Sequence, residues 1–390
     1  MAAARTALVD SYRGLLASPP RLYVQLGEAA LVFTAGGYPT RSIGFRVYGT
    51  WPGDSDQAVL VWDSAGRLSG CIVGSELGAR RTGALGAAAV DAPARPEASV
   101  VGVIGSGRQA WTQLWALTGV RRPSEVRVFS PNAAHRQAFA ERARTELGLN
   151  AIALTGPRDV VRGADIVVLA TRSEHPVVDA AWVEAGTHIN TVGPKTLSAH
   201  EAPTELVAAA RMVVSDSPTQ ANAYGEPFFT DRDLIHLGAV LSGDVPGRQS
   251  DTDITVYCST GLAGSEVLLA QALLERPQPA EPSDLCDLVH RSTWTRSGSR
   301  SARGAQRGDG IVDRGKTGLT GRLRIVGCRS SDCRKRPAAE PSTNPRPRAT
   351  ARPGGMAEPH QAPRAGARQS SAATRSPAAP RSGRGCGRGA

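Results

Sequence analysis

The apolar positions along this chain change their period near residue 95. From Arg21 to Val73 they come in short alternating runs, Arg21–Leu26, Ala30–Thr34, Ile43–Thr50, Val59–Asp63 and Leu68–Val73, separated by Gly-Gly, Pro-Gly and Ser-Ala-Gly. A period of two with turn residues between the runs predicts antiparallel strands. Ser75-Glu76 then opens an alanine-rich helical stretch reaching about Val90. Asp91-Ala-Pro-Ala-Arg-Pro closes it, because proline lacks the backbone donor a helix needs.

Beyond that point the runs become continuous. Val100–Ile104, Val126–Phe129, Asp165–Ala170, His188–Val192 and Met212–Ser215 are short runs built on Val and Ile, with helical patterns at Arg108–Leu117 and Ala133–Leu147. Short Val/Ile runs alternating with helices predict a parallel sheet covered on both faces. After Asp231 the pattern predicts a helical run to Leu241, a strand at Asp253–Cys258 and a helix from about Leu262 to Glu275. The expected fold class is α/β: a Rossmann dinucleotide-binding domain, a second α+β substrate and dimerisation domain, and a disordered tail.

That tail is residues 277–390, rich in Arg, Pro, Gly, Ser and Ala and without a sustained period. It has too little apolar surface to offset the entropy of ordering. It also carries the charge. The chain is +11 overall, but the tail holds about 22 Lys and Arg against about 8 Asp and Glu, leaving roughly 24 against 27 in residues 1–276. A nucleic-acid partner therefore does not follow from the basic total. The tail has neither interleaved aromatics nor an RGG-type repeat, and is read as a chain extended past its natural end, as a reading-frame shift would do. With no signal-peptide core and no run of about 18 apolar residues, a soluble cytoplasmic protein without a membrane partner is expected. Cys71 and Cys258 lie in strand-like runs, while Cys286, Cys328, Cys333 and Cys386 lie in the tail. Cys328 and Cys333 have no second pair nearby, so neither a disulfide framework nor a metal site is expected.

The chemistry-bearing pattern is Val100-Val-Gly-Val-Ile-Gly105-Ser106-Gly107-Arg108-Gln109-Ala110, a strand running through GxGxxA into a helix. Gly105 permits the tight turn, Gly107 lets the backbone approach a pyrophosphate, and Ala110 lets helix pack on strand, with the phosphates at the helix N-terminus. The second strand ends at Ser130-Pro-Asn132, where an NAD site usually carries a carboxylate for the ribose hydroxyls. Ser130, Asn132 and Arg136 offer neutral donors and a cation instead, which favours NADP over NAD. Thr171, Val192 and Gly193 follow later strands at the carboxyl end of the sheet, where ligands bind. His188 is read as structural.

These segments, in this order, resemble the ornithine cyclodeaminase/mu-crystallin family over about residues 15–276. The resemblance rests on Pro20-Arg21, Gly44-Phe-Arg46 with Pro52-Gly53, Arg81-Thr82, the Gly105 fingerprint, Ala170-Thr171, Asn190-Thr-Val-Gly193, Val214-Ser-Asp216-Ser, Gly225-Glu226 and Ser259-Thr-Gly261-Leu-Ala. It implies a Rossmann domain at 95–225, a substrate and dimerisation domain from 1–94 and 226–276, and a homodimer. It also implies nicotinamide-dependent chemistry on a small amino or imino acid. Arg81 would clamp the substrate carboxylate, with Arg21 a second substrate-side arginine.

Arg46 stands where the family commonly has lysine. A guanidinium can bind and polarise but cannot serve as an acid or base. Cys258 stands where ornithine cyclodeaminases have an aspartate before Ser-x-Gly, which disfavours ornithine cyclisation. Cys258 is a candidate thiol donor weighed against inert packing, with Asp253 and Glu266 as weaker acid candidates. The expected activity is reduction of a small cyclic imino acid such as a pyrroline or piperideine carboxylate. The alternatives are an ornithine cyclodeaminase and a non-catalytic NADPH-binding protein.

Overall fold

In the computed structural model, residues 1–51, 56–229 and 233–276 are described, together with the backbone of 324–327. Helix α1 (Ala2–Tyr12) leads into a meander of β1 (Leu22–Leu26), β2 (Ala29–Tyr38), β3 (Ser42–Gly49), β4 (Gln57–Asp63) and β5 (Leu68–Val73), hydrogen-bonded in that order. Register sets which face each side chain takes. Thr34 pairs with Arg46, Arg46 with Val59 and Val59 with Ile72, so these four form one cross-strand row. Val59 and Ile72 are buried with Leu77, which starts the next helix, α2 (Glu76–Asp91). Arg46 therefore faces inward because its row does. The opposite face carries Phe33, Phe45 and Trp62, with ring centroids 5.9 and 5.7 Å apart, and exposed Ile43 and Leu68.

Strand β2 runs four residues past the expected end at Thr34, through Gly36 and Gly37. The glycines do not mark a turn. A Cβ at Gly36 would sit 2.5 Å from the Ala17 carbonyl oxygen and 2.8 Å from Gly264 Cα, so two other backbones press on the strand there.

Next come β6 (Val100–Ile104), α3 (Arg108–Leu117), β7 (Glu125–Phe129), α4 (Ala133–Leu147), β8 (Ala151–Ala153), α5 (Pro157–Val161), β9 (Ile166–Leu169) and β10 (His188–Thr191). A small hairpin, β11 (Lys195–Thr196) and β12 (Ala199–His200), precedes α6 (Thr204–Ala209), β13 (Met212–Ser215) and α7 (Pro218–Asn222). The remaining elements are β14 (Ile235–His236), α8 (Leu237–Ser242), β15 (Thr255–Cys258), α9 (Ser265–Leu274) and β16 (Arg324–Gly327). Eight strands form a parallel Rossmann sheet in the order β14-β13-β15-β10-β9-β6-β7-β8. Strand β9 explains the continuous apolar runs: Ile166 and Val168 enter one core with Val101, Trp111 and Leu114, while Val167 and Leu169 enter the other with Ile189, Leu206 and Val213. Both faces are covered, so neither tolerates a polar residue.

The expected boundary at 225 does not follow the sheet. Strand β15 lies between β10 and β13, and β14 pairs with β13, so residues 235–258 extend the parallel sheet instead of joining the meander. The Thr-Val-Tyr-Cys run is buried at all four positions, as a central strand must be. Only α9 returns to the meander, packing Val267 and Ala270 against Val59, Val61 and Ile72. The expected helix after Asp231 is likewise shorter: Ile235–His236 is strand, and His236 Nδ1 caps α8 by accepting the Gly238 N–H at 2.9 Å. The opening segment supplies α1, whose Leu8 joins a core with Leu85, Leu237 and Tyr257.

In the expected disordered tail, Arg324–Gly327 is strand β16, antiparallel to β5. The rest of 277–390, with its four cysteines, lies outside the described residues, as does Pro52-Gly53. No helix among the described residues is long and apolar enough to cross a membrane.

Candidate active site

The first strand-to-helix turn of the Rossmann sheet faces a topological switch point. Strands β7 and β9 flank β6 on opposite sides, and such a crevice at the carboxyl ends is where open α/β sheets bind ligands. Gly105 has φ of 115°, and a Cβ there would lie 2.4 Å from the Ala170 carbonyl oxygen, so only glycine fits. Gly107 is exposed with nothing within 4 Å of its Cβ position, and as N-cap of α3 it offers no side-chain cap to the first-turn amides. A helix N-terminus opening on such a glycine turn fits a dinucleotide pyrophosphate. Ser106 Oγ donates to Ser130 Oγ at 2.9 Å, joining the loop to the end of β7. Arg136 Nη1 donates to the carbonyls of Ser130 and Pro131 at 3.0 and 3.3 Å, and Asn132 Oδ1 caps α4 through the His135 N–H. Arg108 Nη1 donates to Ser75 Oγ at 2.8 Å, tying the dinucleotide loop to the start of α2; Gln109 is exposed beside it.

Thr171, Val192 and Gly193 are gathered by one carboxylate. Fully buried Glu201 accepts from the Thr171 N–H at 2.7 Å and the Thr171 hydroxyl at 2.8 Å through one oxygen. Through the other it accepts from the Thr191 hydroxyl at 3.0 Å, the Val192 N–H at 2.8 Å and the Gly193 N–H at 2.5 Å. Five donors on one carboxylate fix the loops after β9 and β10 against each other, at the carboxyl edge of the sheet, where open α/β sheets bind ligands.

The arginines meet on a second carboxylate. Glu266, at the start of α9, accepts from Arg46 Nη1 at 3.0 Å and closely from Arg81 Nη2. Both Arg81 and Glu266 are buried, and Arg46 also donates Nε to Gln57 at 3.0 Å and lies 4.3 Å from the Tyr48 ring. Burial raises the Glu266 carboxyl, but Arg81 and Arg46 outweigh it and hold it below its ordinary value. Burial and the neighbouring Arg81 pull Arg46 below its own ordinary value against the attraction of Glu266. Two guanidiniums share one carboxylate, and Arg81 Nε and Nη1 have no hydrogen-bond partner among the described residues. Buried donors left over around a net positive charge suit an incoming carboxylate. Glu266 is thereby an ion-pair partner and not a proton donor.

Arg21 is the third of the arginines that the resemblance singles out. Its Nη2 donates to the Thr260 carbonyl at 2.6 Å and its N–H to Gln220 at 2.8 Å. Burial lowers the Arg21 guanidinium, but Tyr48, Tyr224 and Tyr23 raise it further. Tyr48 thus lies within electrostatic reach of both Arg21 and Arg46. Asp216 anchors the adjacent turn, accepting the N–H groups of Thr260 at 2.8 Å and Gly261 at 3.0 Å. Cys258 is fully buried in the apolar core, and burial pushes its thiol up to about 12 despite nearby Lys195, so it stays protonated at neutral pH.

Two buried charged groups here, Lys195 and Glu201, lie outside the set that the sequence pattern singles out, and Asp216 enters it only within Val214-Ser-Asp216-Ser, with no role assigned. Lys195 left a compositional trace, being the only lysine in the first 276 residues. Glu201 left none beyond its residue type. Asp253 belongs elsewhere: it accepts the Gln249 and Ser250 N–H groups at 3.0 Å in an exposed turn, and those bonds lower its pKa. His188 is sandwiched between Thr255 Oγ1 and Asn190 Oδ1, each at 2.8 Å, and burial drives its pKa down to about 3. It is a neutral packing residue.

Comparison with known proteins places this arrangement. The model of the ornithine cyclodeaminase/mu-crystallin family matches residues 5–280. Among solved structures, the Δ1-pyrroline-2-carboxylate reductase of Thermococcus litoralis, in complex with NADH and L-proline, is 25% identical with a TM-score of 0.64, covering 70% of this chain and 91% of that one. The iminosuccinate reductase of Paracoccus denitrificans, in complex with NAD+, is 28% identical with a TM-score of 0.64, at 70% and 89% coverage. An archaeal alanine dehydrogenase dimer with bound NAD is 26% identical with a TM-score of 0.63, also at 70% and 89%. Three relatives matched by sequence alone are 29–36% identical, and the chain spans 80%, 63% and 62% of their lengths.

Proposed function

This chain belongs to the ornithine cyclodeaminase/mu-crystallin family, and on that premise we propose that it is an NAD(P)H-dependent reductase of a small cyclic imino acid, a pyrroline or piperideine carboxylate. The observation that carries this reading is the buried Arg46–Glu266–Arg81 cluster with two Arg81 donors unpaired, tied through α2, Ser75 and Arg108 to the dinucleotide loop. A reduced nicotinamide, when bound, supplies a hydride. The chain's own contribution is positioning. Arg81 and Arg46 hold the substrate carboxylate, Arg21 and the three tyrosines close the wall beside it, and Glu201 sets the loops on which the nicotinamide would rest. The pyrroline-2-carboxylate and iminosuccinate reductases among its neighbours support an imine substrate.

Three finer points belong to the same reading. NADP is preferred, because Arg136 stands by the end of β7 where no carboxylate would repel a 2′-phosphate. The protein is a homodimer, for which the ladder of Phe33, Phe45 and Trp62 supplies an apolar face; the archaeal neighbour is itself a dimer. Its setting is the cytoplasm.

Absorbance at 340 nm, with full-length protein, NADPH or NADH and a panel of pyrroline and piperideine carboxylates, tests the reading. Substrate-dependent loss of absorbance is expected. Arg81→Ala should lower kcat/KM by at least about tenfold, as loss of charged hydrogen bonds does. Conversion of ornithine without net absorbance change would overturn the reading in favour of a cyclodeaminase. Cofactor binding without any turnover would favour a binding protein.

A further inference from the structure

The chain contains 43 arginines and three lysines, and within residues 1–276 the ratio is 23 to one. Arginine serves at the surface, in helix pairs and in every ion pair among the described residues. The one lysine of this region is not at the surface. Lys195 begins β11, just past the carboxyl end of β10, and is 3% exposed. Its Nζ donates to the Gly193 carbonyl at 2.7 Å and forms no ion pair among the described residues, so two of its three possible donor positions are open.

The groups around it come from four different segments. Glu201 follows β12, Cys258 ends β15, Asp216 follows β13 and Arg21 precedes β1. Each is otherwise engaged. Glu201 and Asp216 are taken up by backbone N–H groups and hydroxyls, Cys258 holds its proton tightly, and Arg21 is a guanidinium bonded to Thr260. Arg46 and Arg81 are guanidiniums, which bind and polarise, and Glu266 is locked between them. Burial lowers the Lys195 ammonium below its ordinary value of 10.5, opposed by Glu201, Cys258 and Asp216 and assisted by Arg21.

What separates lysine from arginine at a buried position is the ability to give up a proton. Resting on the imine reductase reading, we infer that Lys195 is the proton donor of the reaction, delivering the Nζ proton to the imine nitrogen from beside Gly193. As the new C–H bond forms on the imine carbon, the C=N π pair passes to nitrogen. An N–H bond forms there while an Nζ–H bond breaks. The two electrons come from the reduced nicotinamide, and neutral Nζ recovers its proton from water when product leaves. Arg21 interacts electrostatically with both Lys195 and Tyr48, and Arg46 stacks on Tyr48.

The test combines turnover with a direct titration of the lysine. In Lys195→Arg, kcat should fall by about 10²–10⁴-fold, the usual contribution of a positioned acid. The substrate KM, and the cofactor Kd read from nicotinamide fluorescence, should stay within about threefold. Wild-type kcat/KM should fall on the alkaline side as the lysine loses its proton, and this limb should vanish in the variant. Independently, wild-type protein labelled with [13C]lysine gives three Cε resonances. The one missing from Lys195→Arg should titrate below 10.5. Undiminished kcat in Lys195→Arg beside an active wild type, or a lysine titrating at or above its ordinary value, overturns the inference and leaves the reductase reading standing. A wild type silent on every imine overturns both.

Discussion

Glu266→Gln gives the sharpest check on the buried cluster. The substitution keeps size and shape while removing the one negative charge that two guanidiniums share, at side-chain exposures of 3% for Arg81 and 12% for Arg46. Removing one partner of a buried ion pair costs about 3–5 kcal/mol, because the remaining charge is left uncompensated. A shift of roughly 2 °C per kcal/mol for a fold of this size puts the loss in Tm at about 6–10 °C. Thermal melts of the wild type, Glu266→Gln, Arg81→Met and the double variant measure it. The double variant should be more stable than the sum of its parts, since Arg81→Met removes a charge that Glu266→Gln strands. The sign with pH is also determined. The folded-state pKa of Glu266 lies below its ordinary 4.5, so its contribution is complete above that value and lost as pH falls through the folded value. The acid limb of the wild-type melting profile should therefore be shallower in Glu266→Gln. A Tm drop under about 2 °C, or strict additivity in the cycle, would refute the account of the cluster as a mutually compensating unit.

Two further outcomes follow from the same structure. His188 is neutral when folded, with its pKa lowered from 6.5 to about 3, so it leaves stability unchanged above pH 6.5. It subtracts about 1.4 kcal/mol per pH unit as pH falls from 6.5 toward 3, where the unfolded chain binds a proton that the folded chain does not. Denaturant unfolding across that window should show the slope in wild type and its loss in His188→Gln, whatever the variant's absolute stability; an unchanged slope would contradict the burial argument. Arg136→Ala should raise the Kd for NADPH by at least about tenfold, as loss of a charged hydrogen bond does, while leaving NADH nearly unchanged. Equal weakening of both cofactors would remove Arg136 from any role at a 2′-phosphate.

Much of the fold was legible because each layer imposes its own period. Alternation between Leu22 and Val73 marked a sheet with unlike faces, and runs such as Ile166–Leu169 marked strands apolar on both sides. The fingerprint at Gly105 was legible because it is local: a positive φ and a carbonyl 2.4 Å from the missing Cβ leave only glycine. Gly36 misled for the complementary reason. A glycine required by a distant backbone has the same letter as one required by a turn, and only the approach of Ala17 and Gly264 tells them apart.

By itself, then, the sequence determined most strands of the meander and of the parallel sheet and the dinucleotide loop, since each is set by residues within a few positions of one another, while Arg21, Arg46 and Arg81 were singled out by the family resemblance. The tertiary structure decided what those arginines meet. Glu266 lies 220 residues from Arg46 and 185 from Arg81, and Glu201 joins loops that end two different strands. It also decided that β15 sits inside the parallel sheet, which carries Cys258 to the core and leaves Lys195 at the sheet's carboxyl edge. Pairings across such distances depend on which strands become neighbours, and that follows from the burial of whole faces and not from any local pattern.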